Sequence, residues 1–299
     1  MRIITIGSAL VDIFIRSEHF SKDTHGVVRV GEVGGKFDVS SFILKTGGGA
    51  GNVATGFARL GFDSAVISET GQDELARMVM EDLEKEKVDT SLMIHEKKEE
   101  TGGSVILVLA DGSRAALVHR GASSLLDPKD IDIKELSHAN WVHISSLSGR
   151  LDTLKHVFSV LKFHGVKTSW NPGSSDLKLI KEGKLEVEDI CAQVLILNKQ
   201  EWEMIDGHQT KLKKCIKQIV VTDSVRGGKV FLENGQKIDY KAKETKSVDN
   251  TGAGDAFAVG YVASILRGDS IERATYCGAK NSASVVKHFG AKQGLKKRL

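Results

Sequence analysis

The sequence predicts an α/β fold: a mostly parallel central sheet covered by helices, with a small β-sheet lid projecting from it. Two observations carry that reading. Short apolar runs rich in β-branched residues alternate with helix-period stretches, and two segments break the alternation with strand-like runs but no helix.

The strand-like runs lie at 3–6, 65–68, 141–145, 166–170, 194–197 and 219–222, each bounded by turn residues. Between them Leu75, Val79 and Leu83 repeat at i, i+4 and i+8, and Leu151, Leu154, Phe158 and Leu161 mark a second apolar stripe. The breaks fall at about 10–46, with runs at 11–15, 27–30 and 42–44, and at about 100–120, with a hairpin of 104–109 and 115–119 across Asp111-Gly112. Antiparallel strands without covering helices make a small projecting sheet, whose natural use is a substrate lid. A length of 299 residues suits one domain, 1–299, with this appendage, and the two prolines, Pro128 and Pro172, leave no Pro-rich linker.

Composition narrows the function classes. Hydrophobic residues at 40% and charged residues at 27% are ordinary globular usage. The net charge is +3, and the basic clusters Lys211-Leu-Lys-Lys214 and Lys296-Lys-Arg298 have no neighbouring aromatics, so solvated faces explain them better than nucleic acid does. No apolar run reaches the ~20 residues needed to cross a bilayer, and residues 1–6 read as a strand rather than a signal peptide. A cytoplasmic protein with no membrane association is expected. Cys191, Cys215 and Cys277 are widely spaced and read as reduced core thiols, and the ten histidines lack metal-ligand spacing.

Two glycine-rich motifs carry the chemistry. In the first, Thr46-Gly-Gly-Gly-Ala-Gly-Asn52 delivers a helix N-terminus, where free N–H groups favour oxygen-rich or anionic ligands and Asn52 suits a polyol. The same stretch, as Gly49-x-Gly51-x-x-Ala54 with Glu69 as a ribose-binding acid, satisfies the dinucleotide fingerprint, which keeps an NAD(P)-dependent oxidoreductase open.

In the second motif, Ser247-Val-Asp-Asn-Thr-Gly-Ala-Gly-Asp255, the N–H groups of Gly252, Ala253 and Gly254 form an anion cradle ahead of an apolar helix. Asp255 beside it could be a plain helix cap. Yet a carboxylate at a phosphate cradle repels the anion unless a hydroxyl lies between the two, which is a kinase's need. Asp255 would then accept the hydroxyl proton while the N–H groups stabilise charge on the phosphoryl oxygens. The sequence contains no G-x-x-x-x-G-K-[ST], so it is not a P-loop enzyme.

In order and spacing the two motifs resemble the signatures of the ribokinase-like (PfkB) carbohydrate kinase family, over nearly the whole chain. The resemblance implies a three-layer α/β/α fold with a β-sheet lid, and an Mg-ATP-dependent kinase that phosphorylates a sugar or nucleoside hydroxyl. Gly7-Ser-Ala-Leu-Val-Asp12 looks like the family's opening segment and Gly47-Gly-Gly-Ala-Gly-Asn52 like its first signature, so Asp12, Gly48 and Asn52 would bind substrate hydroxyls. Asn198-Lys-Gln-Glu201 is similar to its N-x-x-E element, with Glu201 organising Mg2+ through water and Asn198 near the phosphates. Thr222-Asp-Ser-Val-Arg-Gly227 resembles its nucleotide loop, giving Thr222, Ser224 and Gly227, with Ser224 in place of the usual middle glycine.

Asp249-Asn-Thr-Gly-Ala-Gly-Asp255 resembles the D-T-x-G-A-G-D run, with Asn250 where Thr is usual, and Asn281 falls where members place an Asn near the adenine. In some members a monovalent cation such as K+ sits beside the residues matching Asp249 and Gly290-Ala291. Ser169-Trp-Asn-Pro-Gly173 looks like a D-x-N-P-G segment whose acid is replaced by Ser169. Many members dimerise through the lid, so a homodimer joins the small-molecule substrate as an implied partner. A third reading, a nucleotide- or sugar-binding protein that has lost catalysis, is opposed by the intact Gly252–Asp255 set. The acceptor itself is set by lid residues and by positions such as Ser145 and Arg120; a phosphorylated sugar would demand Lys or Arg in the pocket.

Overall fold

The computed structural model describes every residue except Lys97 and Gly112, so the Gly112 of the expected hairpin turn lies outside the described residues. The chain enters the core with β1 (Arg2–Ile6) and leaves it for the lid with β2 (Leu10–Arg16), the short pair β3 (Ser21–Lys22) and β4 (Val28–Arg29), and β5 (Ser41–Gly47). It returns through α1 (Gly49–Arg59), β6 (Asp63–Ile67), β7 (Glu69–Thr70), α2 (Glu74–Lys85) and β8 (Ile94–His95), then makes the lid hairpin β9 (Gly103–Val108) and β10 (Arg114–His119). Next come α3 (Ile133–His138), β11 (Trp141–Ile144), α4 (Leu151–His164), β12 (Thr168–Trp170), α5 (Ser174–Lys181) and β13 (Val194–Asn198). After α6 (Lys199–Met204), α7 (Gln209–Cys215) and β14 (Gln218–Thr222), the hairpin β15 (Gly228–Leu232) and β16 (Lys237–Tyr240) leads to α8 (Ala253–Leu266) and α9 (Ile271–Val285).

Among the described residues the central sheet runs β16-β15-β14-β13-β12-β11-β1-β6. From β6 to β14 every pairing is parallel, and β15 and β16 close one edge antiparallel. The period-two alternation of β1 sorts its side chains between two layers. Ile4 and Ile6 pack with Leu154, Phe158 and Leu161 of α4 and Ile180 of α5, whereas Ile3 packs with Phe57 of α1 and Val259 and Val262 of α8. α8 is apolar on every side from Ala256 to Ser264, as a helix wedged between a sheet and further helices must be. All six expected core strands are present within a residue or two of their predicted bounds.

The lid is a second sheet, ordered β10-β9-β2-β5. Its expectation of purely antiparallel strands is corrected: β2 pairs β5 antiparallel but β9 parallel, placing Ser104 opposite Asp12. The run at 27–30 condenses to the two residues of β4. Of the three free thiols only Cys277 is buried; Cys191 is intermediate and Cys215 exposed. Among the described residues no helix is long and apolar enough to cross a membrane.

Candidate active site

The parallel strands end together on one side of the sheet, the usual location of ligand crevices in open α/β folds. Two helix N-termini reach the same place. Each is preceded by a glycine with left-handed backbone, Gly48 at φ +88° before α1 and Gly252 at φ +73° before α8. A Cβ at Gly48 would strike the Ser8 carbonyl, and one at Gly252 would strike Ala291, so both steric room and φ require glycine.

These turns bring together residues far apart in sequence. Asn52, in the first turn of α1, donates from Nδ2 to Asp255 Oδ2 at 2.8 Å. Asn52 is only 4% exposed, and its Oδ1 finds no hydrogen-bond partner among the described residues; the same holds for Ser145 Oγ, just past β11. Ser145 lies against Gly49, and a Cβ at Gly49 would stand 3.8 Å from Asp255 Oδ1, so Gly49, Ser145 and Asp255 are neighbours. Asp12 reaches down from lid strand β2, with the Ser104 hydroxyl donating to its Oδ1 and its Oδ2 pressed against Gly47.

Asp255 feels the charge of Asp12. Burial pushes Asp255 up to about 6, the charge of Asp12 adds to the rise, and the Asn52 hydrogen bond opposes it. Burial also raises Asp12, against the Ser104 hydrogen bond and the charge of Lys292. Asp255 as a whole remains half-buried. Of the three cradle amides, Ala253 N–H donates to the Asn250 carbonyl at 3.2 Å, whereas no described acceptor takes the N–H groups of Gly252 and Gly254. Asn171 Oδ1 faces Gly254, its amide being held by the Ile196 carbonyl at 2.8 Å.

Beyond the cradle a cleft is lined by Thr222, Ser224, Gly227, Asn250, Gly254 and Phe257, with Ser282 and Ala283 from α9 and Val286 just past its end. Its mixed wall of hydroxyls, backbone and a phenyl ring fits a nucleotide. Ser224 takes the left-handed conformation, φ +50°, that a glycine would adopt freely.

Asn198 and Thr222 are register partners at the ends of β13 and β14, and Asn198 caps α6 reciprocally with Glu201: Glu201 N donates to Asn198 Oδ1 at 2.9 Å and Asn198 N to Glu201 Oε2 at 2.7 Å. Burial raises the Glu201 carboxyl. Among the described residues no three His, Cys, Asp or Glu side chains gather as a metal cage. That donor set fits Mg2+ held mainly by phosphate and water oxygens with Glu201 in the outer shell.

Three residues that the sequence singled out lie outside the cleft lining. Asn281 is 1% exposed and does not line the cleft; its Nδ2 donates to the Ala256 carbonyl at 2.7 Å and its Oδ1 accepts from Lys296 N at 2.9 Å, so it clamps α9 to α8. Glu69, the ribose-acid candidate, is 3% exposed in β7, where it pairs with Ile94. Ser169 serves the sheet interior, accepting from Trp141 Nε1 at 2.8 Å and sharing a 2.8 Å hydrogen bond with His143 Nδ1.

Asp249 is buried just before the cradle. Its Oδ1 accepts from the Arg114 guanidinium of lid strand β10 and from Thr251 N and Oγ1 at 3.0 and 2.8 Å, and its Oδ2 accepts from Gly290 N at 2.9 Å. Sequence reasoning singled out neither Arg114 nor Ser104, since what marks them is a pairing across the lid rather than a motif.

A family model for the pfkB family carbohydrate kinases matches residues 2–298. The chain belongs to that family. This pfkB kinase is 30% identical over 250 residues to an uncharacterized sugar kinase of Archaeoglobus fulgidus, covering 80% of this chain and 98% of the relative. It is 26% identical over 307 residues to the ribokinase of Staphylococcus aureus, covering 98% and 96%. Its fold matches the crystal structure of adenosine kinase from Sinorhizobium meliloti with a TM-score of 0.80 at 21% identity, covering 98% and 96%. The protein is a carbohydrate or nucleoside kinase, and membership of the family implies ATP as donor. The oxidoreductase reading falls with this: Gly49-x-Gly51-x-x-Ala54 follows lid strand β5, not a parallel strand of the core, so it opens no βαβ unit.

Proposed function

We propose that this pfkB kinase transfers the γ-phosphoryl group of Mg-ATP to a hydroxyl of a sugar or nucleoside, with Asp255 as general base. The observation that carries the proposal is the Asp255 carboxylate at the N-terminus of α8, held by Asn52 beside the unengaged N–H groups of Gly252 and Gly254. Asp12 and the free Oδ1 of Asn52 accept from acceptor hydroxyls, with the Gly48 turn bringing backbone close to the ring. Asp255 takes the proton of the attacking hydroxyl as its oxygen bonds to the γ-phosphorus, the bond to the bridging oxygen breaks, and ADP leaves.

Gly252 and Gly254, with Ala253 once its long bond to Asn250 yields, stabilise charge on the transferring group. Thr222, Ser224 and Gly227 receive the nucleotide, Asn198 stands near its phosphates, and Glu201 orients water on Mg2+. Bound Mg2+ supplies neutralisation of phosphoryl charge. The lid, taken as 10–46 and 100–120 of one domain spanning 1–299, excludes water that would otherwise hydrolyse ATP. Free thiols and an ATP donor suit a cytoplasmic setting.

The test is ADP release screened over free sugars, sugar phosphates and nucleosides. With the best acceptor, Asp255→Asn should cut turnover by roughly two or more orders of magnitude while ATP affinity and melting temperature hold. Near-normal turnover in the variant overturns the base assignment, and absence of turnover with every acceptor despite ATP binding favours the non-catalytic binding protein.

A homodimer through the lid belongs to the same proposal. Register places Phe42 beside Ile15, Leu44 beside Ile13 and Leu117 beside Val105 on one face of the lid sheet, and Phe42, Leu44 and Leu117 are exposed large hydrophobics. A second copy of the chain would cover this face.

A further inference from the structure

We infer that Arg114 is a built-in cation for the catalytic loop: its guanidinium holds the place at Asp249 that the family resemblance gives to a monovalent ion, and makes the enzyme independent of K+. The inference rests on the kinase reading above and concerns this chain's own residues.

A carboxylate has about four lone-pair sites. At Asp249 three donors, Arg114, Thr251 N and Thr251 Oγ1, converge on Oδ1, and Gly290 N takes one lone pair of Oδ2. An alkali ion needs several oxygen lone pairs directed at it, and here those of Oδ1 are taken by N–H and O–H groups and Oδ2 keeps a single one beside its bond to Gly290 N. It would also have to lie beside a guanidinium whose positive charge repels it. The residues present therefore do not fit a K+ ion at Asp249.

The need for a positive charge at this point is plain from burial. The Asp249 side chain is almost entirely removed from water, and a buried carboxylate without a countercharge is strongly disfavoured. Arg114 meets that need with a group that stays charged at any working pH. Its Nη1 also reaches Thr251 Oγ1 at 3.0 Å, so one guanidinium grips two residues of the turn that presents Gly252 and Gly254. Since Arg114 begins the edge strand β10, the lid hairpin and the anion cradle are joined by this ion pair. Arg114 is a positioning residue: it acts through Asp249 and Thr251 on the amides, not on the substrate.

The experiment compares the full-length enzyme and Arg114→Met in potassium, sodium and tetramethylammonium chloride at equal ionic strength. Two readouts are taken, turnover at saturating ATP and acceptor, and melting temperature without either. For the wild type, turnover in the three salts should agree within about twofold and the melting temperature should not respond specifically to K+. Arg114→Met should lose about tenfold or more in kcat with a smaller change in the KM for the acceptor. K+ or added guanidinium should restore several-fold of that loss, and K+ should raise the variant's melting temperature. Arg114→Lys should keep most of the turnover.

A wild type activated several-fold by K+ overturns the inference, and so does an Arg114→Met enzyme that keeps both its turnover and its indifference to cations. If Arg114→Met does not fold, the wild-type salt series alone decides. The melting measurements need no acceptor, so failure of the kinase reading is seen separately, as a chain with no turnover on any acceptor.

Discussion

An acid beside the proposed phosphate cradle is useful only while its proton affinity matches the work, and at Asp255 burial and two neighbours set that affinity. Burial and Asp12 raise it to about 6, and Asn52 lowers it. The base must be ionised to act, so kcat/KM should level off above pH 6 and fall about tenfold per unit below it, measured as a pH–rate profile. Removing the like charge with Asp12→Asn should move the acid limb toward lower pH, even as overall efficiency drops through lost substrate binding. A limb that stays put, or moves up, contradicts the coupling of the two carboxylates. Asp255 was legible in the sequence because its cradle is contiguous with it. Its partner Asn52 was legible only as a motif member, since nothing local announces a hydrogen bond spanning most of the chain. Asn281 carries two readings in the sequence, a packed polar residue by itself and a neighbour of the adenine by resemblance, and its bonds to Ala256 and Lys296 occupy its side chain without a ligand.

For the elements themselves, periodicity was a good guide wherever one force dominated. Parallel core strands buried on both faces read as continuous apolar runs, and α2 and α4 show their stripes because each covers the sheet with one side. The hairpin of β15 and β16 escaped notice because Lys237-Ile-Asp-Tyr240 alternates with charges at a sheet edge and looks like a loop. The parallel join of β2 to β9 escaped too, since strand direction in a lid is set by how the chain returns to it rather than by composition. The clamp between α8 and α9 gives an element-level prediction. Asn281→Leu forfeits two hydrogen bonds, one buried and one part-buried, and should cost about 1–3 kcal/mol in urea unfolding, with the KM for ATP changed less than twofold. A large rise in that KM with unchanged stability would return Asn281 to the nucleotide.

The whole molecule is a helix-sandwiched sheet with a second sheet standing over its strand ends, and that second sheet has two faces with different duties. Toward the core it carries Asp12, Ser104 and Phe14, the last packing with Ile106 and Val108; away from it, it shows Phe42, Leu44 and Leu117 to solvent. If a second copy covers the outer face, sedimentation or light scattering should give twice the 32.4 kDa chain mass, and Phe42→Glu should return it to a single chain. A wild-type mass of one chain at micromolar concentration would sink the dimer. The general fold was within reach of the sequence because layer architecture follows from the alternation of strands and helices. The joining of lid to cradle was not, because it rests on one guanidinium placed by tertiary packing.

The segment after α9 ties down what precedes it. Gly290 N holds Asp249, Lys292 pairs with Asp82 of α2 at 2.7 Å and gives its carbonyl to Arg59 of α1, and Lys296 N seals Asn281. Protein synthesis runs in the opposite sense to this dependence. A growing chain completes its sheet and lid first and acquires the backbone that shapes the turn before Asp255 only once Gly290 has been added.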